Sequence, residues 1–150
     1  MSFETACAAL KDKLETMGLT GLGPSDISVD GDYTILNGSH RYACVLDYNG
    51  FTARRMAEGG SYLTGWKVTI TLAVPCENSL QDKKDMGVLR AAILTHLRKW
   101  PRLGLADDIF DTQVLGGTDI PELVELGGMM YQLEELDVLI EEEEDVEEED

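Results

Sequence analysis

The chain has 150 residues, of which 43% are hydrophobic, and its formal net charge is −17. This is enough for one domain whose hydrophobic core needs no metal or disulfide staple. An odd set of widely spaced cysteines, Cys7, Cys44 and Cys76, favours reduced, buried thiols over a disulfide framework. No charged-then-apolar leader opens the sequence, and no apolar run approaches the roughly 20 residues that span a bilayer. We therefore expect a soluble protein, made inside the cell, with no membrane partner.

The first predicted element is an amphipathic helix over residues 2–17. Ser2 can cap its start, and Gly18 can adopt the left-handed conformation that ends it. Apolar side chains recur at steps of three and four along one stripe: Phe3, Cys7, Leu10, Leu14 and Met17.

Strands follow this helix. We predict a weak strand at residues 27–29 or 33–36 and a better one over residues 41–47. Tyr48-Asn49-Gly50 is typical of a hairpin turn, so residues 51–56 are expected to form a separate strand.

A long strand is predicted over residues 65–75, after a glycine-rich polar segment at residues 57–61 that does not suit a core. Its alternation of apolar and other residues indicates a sheet with one buried face. The buried phase consists of Trp66, Val68, Ile70, Leu72 and Val74. Together these segments predict a β-hairpin that projects from a sheet.

A second helix is predicted from Ser79 to the residue before Pro101, with Asp82 in a capping-box-like position. Its apolar stripe consists of Met86, Leu89, Ile93, Leu97 and Trp100.

Two strands are predicted after the second helix, over residues 108–115 and 129–140, joined by a linker. In the last strand Tyr131 and Leu133 point to one face of the sheet, whereas the later apolar residues point to the other. This slip of one residue predicts a bulge near Glu134-Glu135. The order of elements implies an α+β domain: a mostly antiparallel sheet of four to five strands, two main helices packed on one face, and the projecting hairpin.

The negative charge is concentrated at the end of the chain. Residues 134–150 hold twelve acids and no Lys or Arg, so they contribute −12 and leave only −5 on the other 133 residues. We expect a single domain over residues 1–140 and a solvated acidic tail over residues 141–150. The tail is either a solubilising terminus or an electrostatic surface that meets a basic partner or repels DNA. No basic patch supplies the phosphate contacts of a duplex-binding protein.

No catalytic, metal or cofactor site is predicted. His40 and His96 lie near no cysteine or carboxylate at metal-ligand spacing, and we expect His96 to be a structural histidine beside its helix's apolar stripe. Adjacent acids such as Asp107-Asp108 point to opposite faces of a strand and so do not form one site. An enzyme is not expected.

Arg54-Arg55 lies at the root of the hairpin, and on a strand the two side chains point in opposite directions. They are either two solvated surface residues or an interface pair that meets carboxylates of a neighbouring subunit. Met56, Tyr62 and Leu63 near the tip are either part of the core or exposed apolar residues of the kind that form contact surfaces.

The order of these elements resembles that of the tail terminator, or tail completion, proteins of long-tailed bacteriophages. The similarity covers most of residues 3–140. It is carried by FTARRMAEGGSYLTGWKVTITLAV entering a helix that ends KWPRL, and by DTQVLGG followed by GGMMYQLEELDVLI.

The resemblance implies a hexameric ring in the virion, assembled in the host cytoplasm. Such a ring caps the tail tube, stops its polymerisation, and offers a surface to the filled head through a head-completion or connector protein. DNA would pass through an acidic lumen without specific binding. The expected contacts with a neighbouring subunit or the tube are Arg54, Arg55, Met56, Glu58, Tyr62 and Leu63. A head-closure or neck protein, and an acidic DNA mimic that inhibits a basic host protein, are the alternatives.

Overall fold

The computed structural model describes residues 2–36, 41–55, 61–76, 79–105, 109, 111–117 and 122–145. It confirms the α+β class, with two main helices and a mostly antiparallel sheet. The helices are α1 (Phe3–Glu15) and α2 (Ser79–Lys99). The strands are β1 (Ile27–Ser28), β2 (Ala43–Arg55), β3 (Ser61–Pro75), β4 (Asp111–Gly117), β5 (Glu122–Leu126) and β6 (Met129–Asp145). The sheet therefore has six strands among the described residues, where four to five were predicted.

The sheet order is β1-β2-β3-β6-β4, and β5 pairs with β6. All pairings are antiparallel except the short parallel one between β1 and β2. β4 and β5 follow one another along the edge of β6 that β3 does not use. β5 lies within the stretch predicted as a linker, and the alternative weak strand at residues 33–36 is mostly a 3-10 turn, Tyr33–Ile35.

Both helices pack on the same face of the sheet and form the main core with it. Ser2 caps α1, since its hydroxyl accepts a hydrogen bond from the Thr5 amide at 3.2 Å. In this core the apolar stripes of the two helices pack against the side chains of β3 that were predicted to be buried. Its members include Leu10, Leu14, Leu89, Ile93, Val68, Ile70 and Val138. Trp100, predicted as part of the α2 stripe, is instead partly exposed beyond the helix end, where Lys13 Nζ lies 4.1 Å from the ring centroid.

The predicted hairpin turn at Tyr48-Asn49-Gly50 is wrong, because β2 runs through it as one strand. Tyr48 lies opposite Val68 and Phe51 opposite Trp66, so β2 holds one extra residue at this point. This is a β-bulge, and Gly50 accommodates it with a φ of +104°. The same Asn-Gly pair that favours a tight turn also suits a bulge, and the long alternating partner strand decides between them.

The predicted bulge near Glu134-Glu135 is also wrong. The register of β6 on β3 is unbroken from Tyr131 opposite Pro75 to Asp145 opposite Ser61. The apolar phase changes along β6 because its beginning packs on the other face of the sheet. There Tyr131 is buried in a second, smaller cluster with Leu36, Ala43 and Ala73.

The predicted domain end at residue 140 falls inside a strand. β6 continues to Asp145, and Glu141 is only 3% exposed. Pairing with β3 satisfies the backbone of this acidic segment, which offsets its low intrinsic preference for strand. Residues 146–150, the rest of the expected acidic tail, lie outside the described residues.

Replacing Gly87 with Ala is expected to raise the free energy of unfolding by about 0.5–1 kcal/mol. Gly87 lies inside α2, and outside the helix's own backbone an added Cβ would meet no heavy atom within 4 Å among the described residues. Urea denaturation followed by circular dichroism measures the change. Gly117→Ala is the contrasting variant, because its Cβ would lie 2.8 Å from the Glu135 carbonyl oxygen. A Gly87→Ala protein less stable than the parent would contradict the space seen at this position.

Candidate interaction surface

Three strands continue together beyond the main core and form what we call the arm: residues 51–55 of β2, 61–66 of β3 and 140–145 of β6. At its far end Arg55 lies opposite Tyr62, which in turn lies opposite Glu144. Residues 61–65 belong to neither of the two buried apolar clusters found among the described residues. The predicted hairpin is therefore backed by a third strand, β6, and this makes it a stiffer support than two strands alone.

One face of the arm, continuous with the helix-covered face of the sheet, is aromatic. Phe51 is 62% exposed, and its ring centroid lies 6.2 Å from that of Trp66. Tyr62, 38% exposed, lies further along the same face. Tyr48 joins this surface to α1 through an edge-on contact with Phe3, with centroids 4.7 Å apart. Exposed aromatic side chains in a group are typical of contact surfaces.

The opposite face of the arm contains a buried carboxylate, that of Glu141. Arg54 Nη2 lies 3.6 Å from Glu141 Oε2, and Gln113 Nε2 donates to Glu141 Oε1 at 3.2 Å. Arg54 is 64% exposed whereas Glu141 is nearly enclosed, so the guanidinium compensates a charge that would be costly to bury alone. Leu63, 1% exposed, lies on this face too.

Gly65 makes room for this packing. A Cβ on Gly65 would clash with the Thr52 hydroxyl and lie 2.6 Å from Leu139 Cδ1. Thr52 is opposite Gly65 on β2, and Glu141 is opposite it on β6. Because Gly65 on the central strand has no side chain, the side chains of Thr52 and Leu139 on the flanking strands can occupy the space above it.

The predicted contact residues are divided between the two faces. Arg54 and Arg55 do point in opposite directions, and Arg54 supports the sheet through Glu141. Tyr62 is partly exposed, whereas Leu63 is buried, so the core alternative holds for Leu63 and it is not an exposed contact. Leu63 lies on the central strand of the arm, opposite Arg54 of β2 and Glu143 of β6. Met56 and Glu58 lie outside the described residues.

Sequence reasoning missed two residues of the arm. Phe51 was not singled out, although its place on an exposed strand beside the glycine-rich segment was a usable signal. Glu141 was assigned to a solvated tail because it begins a run of acids. Only the pairing of β6 with β3 shows that this carboxylate is enclosed.

The uncovered face of the main sheet carries an acidic patch next to the arm. Asp47, Glu135 and Asp137 line a shallow cavity of about 290 Å³. Thr69 Oγ1 donates to Asp137 Oδ1 at 2.8 Å, which holds one of these carboxylates in place. No group of three or more potential ligands among the described residues has a geometry suited to a metal ion.

His96 is structural, as predicted. Its Nε2 lies 2.9 Å from the Lys13 carbonyl oxygen and 3.0 Å from Thr16 Oγ1, so it joins the last turns of α2 and α1. The Lys13 carbonyl also accepts from the Thr16 amide at 3.1 Å and from the Thr16 hydroxyl at 2.7 Å, so His96 adds to the capped end of α1. His40 lies outside the described residues.

At about pH 8, alkylation of the native protein is expected to modify Cys76 first. Burial raises the pKa of Cys7 to about 11 and that of Cys44 to about 12, so both thiols stay protonated and sheltered. Cys76 is only partly buried. Mass spectrometry should therefore show one rapid iodoacetamide adduct, absent in Cys76→Ser, and three adducts in denaturant. Two or three rapid adducts on the native chain would contradict this burial.

The same thiols give stability a pH dependence. In the folded protein the pKa values of Cys7 and Cys44 lie above 9.0, the ordinary value of a cysteine thiol. The thiol contribution to stability is therefore complete below about pH 9 and is lost as the pH rises through the folded values.

No family model matches the sequence, and no curated protein matches it significantly. None of the described helices is both long and apolar enough to cross a bilayer.

Proposed function

We propose that this protein is a structural subunit of a bacteriophage virion, a tail terminator that acts as a ring. The ring caps the tail tube, ends its polymerisation, and presents a surface to the head-completion or connector protein. The observation that carries the proposal is the arm, which places exposed Phe51 and Tyr62 on one face and the exposed Arg54 guanidinium on the other. A stiff extension with an exposed aromatic face is suited to binding a neighbouring subunit or the tube.

The acidic patch supports the expected passage of DNA. The carboxylates of Asp47, Glu135 and Asp137 lie together on the sheet face that the helices leave uncovered. A channel wall of this charge repels phosphates and gives no base contacts, so DNA slides past without specific binding. We propose that this sheet face is turned towards the lumen of the ring.

Electron microscopy of the purified protein with tail tubes tests the proposal. Negative-stain images should show a ring at one end of each tube, and tubes polymerised in its presence should be uniform in length. A Phe51→Ser/Tyr62→Ser variant should fold but bind tubes weakly. Val88→Ser, at a comparably exposed apolar position on α2, serves as its control. Tubes that remain uncapped and of uncontrolled length with the parent protein would refute the proposal.

A head-closure or neck role is the nearest alternative and uses the same kind of surface. The two roles differ in their first partner. A terminator binds isolated tails, whereas a head-closure protein binds filled heads. Cosedimentation of the purified chain with each particle separates them.

An acidic DNA mimic is a second candidate, and the folding of the acidic segment favours it. Glu142, Glu143 and Glu144 belong to a strand of the sheet, so the folded surface carries more ordered negative charge than the sequence indicated. Such a surface can occupy the DNA site of a basic host protein. Competition with duplex DNA for a nucleic-acid-binding host protein, lost in an Asp47→Asn/Asp137→Asn variant, would support this function over the virion role.

A further inference from the structure

Although the chain has 29 Asp and Glu against 12 Lys and Arg, a group of its cations has no carboxylate partner among the described residues. Ion pairs are found for four others: Lys11, Arg41, Arg54 and Arg90. In the part of the chain that the structure describes, they are not found for four cations near the ends of α1 and α2: Lys13, Arg98, Lys99 and Arg102. Positive charge left unneutralised in so acidic a chain is available to an anionic partner.

Part of this charge surrounds an exposed aromatic ring. We call the following residues the basic corner: Lys13, Lys99, Trp100 and Arg102. The Trp100 ring, 39% exposed, has Lys13 Nζ 4.1 Å and Lys99 Nζ 6.0 Å from its centroid. The bend after α2 lies against Lys13, because a Cβ on Gly104 would be 3.3 Å from Lys13 Nζ. Leu103 anchors the bend in the main core. The corner is therefore a fixed surface that combines cations with an aromatic face, a composition typical of contact surfaces.

The chain also carries the complementary charge. β6 ends at Asp145, and residues 147–150, which we call the acidic segment, are all Glu or Asp. Asp145 lies opposite Ser61 at the far end of the arm, about 17 Å along the strand from Trp66, which packs against the main core. Five residues span at most about 18 Å. Residues 146–150 would therefore use nearly their whole length to return to the level of Trp66, whereas a second copy can approach the end of the arm directly.

We infer that neighbouring copies of this chain associate through the acidic segment of one copy and the basic corner of the next. Carboxylates of the segment meet the ammonium and guanidinium groups of the corner. The contact is heterologous, since each copy offers two different surfaces, and such contacts generate a closed ring when the rotation between copies closes. The inference rests on the proposed function and deepens it, by naming a contact between the subunits of the ring.

Duplex DNA is the other polyanion that a basic surface can bind. A duplex presents its phosphates over a long surface, and a few cations supply only a few of the contacts on which its affinity depends. Acids elsewhere on a chain of net charge −17 also oppose a long polyanion. A segment of four residues can contact the corner alone, so the observations favour an acidic segment of protein.

Nuclear magnetic resonance with one labelled partner tests the inference. The labelled chain is a full-length neutral-segment variant, Glu147→Gln/Glu148→Gln/Glu149→Gln/Asp150→Asn, which offers a corner but no acidic segment. Unlabelled parent protein should shift its Trp100 indole signal with a Kd on the order of 0.1–1 mM, because exposed ion pairs are individually weak. The indole of Trp66, whose Nε1 is buried, should not respond. Unlabelled neutral-segment variant should cause no shift.

Charge reversal at the corner provides the matched comparison. Adding Lys99→Glu/Arg102→Glu to the labelled chain should weaken binding of the parent by about tenfold or more. Lys83→Glu/Lys84→Glu makes the same charge change at two exposed positions near the start of α2 and should bind as before. An unlabelled Glu147→Lys/Glu149→Lys chain should restore binding to the reversed corner, which only a direct contact explains. Circular dichroism checks that every variant is folded.

Three results would overturn the inference. One is the absence of any shift with parent protein up to about 1 mM, including the case in which the segment binds the corner of its own chain. Another is a shift that the reversed corner leaves unchanged. The third is a shift of the Trp100 indole by duplex DNA where the parent protein causes none, which would make the corner a nucleic-acid site.

Tube capping separates this inference from the proposed function. Capped tubes of uniform length formed with the Lys99→Glu/Arg102→Glu protein would refute the contact and leave the proposed function standing. Binding between copies through the corner, with tubes that the parent protein leaves uncapped, would uphold the contact and refute the proposed function.

Discussion

Truncation after Ile140 is expected to lower the free energy of unfolding by about 2–4 kcal/mol. It removes residues 141–145, which pair with residues 61–65 of β3 and bury Glu141 and Leu63. Exposing a leucine costs about 1.5–3 kcal/mol, and each lost backbone hydrogen bond about 0.5–1.5 kcal/mol. The recovered chain entropy and the relief of repulsion between acids offset part of this loss.

Truncation after Asp145 is the matched control. It removes four of the acids while keeping all of β6, so it separates the effect of charge from that of strand pairing. Urea denaturation at low protein concentration measures both variants, and the m-value shows whether the truncated arm still folds. Equal stability of the two truncated chains would mean that residues 141–145 do not belong to the folded domain.

Replacing Tyr131 with Ala is expected to destabilise the protein by about 3–5 kcal/mol, the range for a large buried aromatic side chain. Tyr131 is fully buried on the face of the sheet opposite the helices, among Leu36, Ala43 and Ala73. The substitution leaves a cavity that strands cannot easily close, because their spacing is set by the backbone ladder.

Tyr33→Ala is the control for this prediction. Tyr33 lies on the same side of the sheet but is partly exposed, and its hydroxyl is 3.2 Å from Thr71 Oγ1. We expect a loss of less than half that of Tyr131→Ala in the same denaturation experiment. If the two substitutions cost the same, the second apolar cluster does not contribute as a core.

The amphipathic helices and the long alternating strand could be predicted from the sequence because their signals are local. Ser2 and Gly18 mark the ends of the first helical pattern, and the alternation that begins at Trp66 reaches Pro75 unbroken. Both periods reflect burial against one surface, which a single segment reveals by itself. The α+β class followed from the order of such segments, and the structure confirms it.

Where a segment's conformation depends on its partner, the sequence was ambiguous. Asn49-Gly50 is compatible with a turn or a bulge, and only the continuous pairing of β2 with β3 selects the bulge. The change of phase after Leu133 is compatible with a bulge or with burial on both faces. The second apolar cluster around Tyr131 explains it without any break in register.

By itself the sequence determined the helices, the main strands, the opposed directions of Arg54 and Arg55, and the large excess of acid near the C-terminus. The tertiary structure decided that Leu63 is buried, that Glu141 is enclosed beside Arg54, and that the acidic strand and the basic strand form opposite edges of one arm. The reason is that burial and pairing of these residues arise from strands about eighty residues apart in the chain. A local pattern of apolar residues cannot reveal such a contact, because the contact forms only when distant strands pair in the assembled sheet.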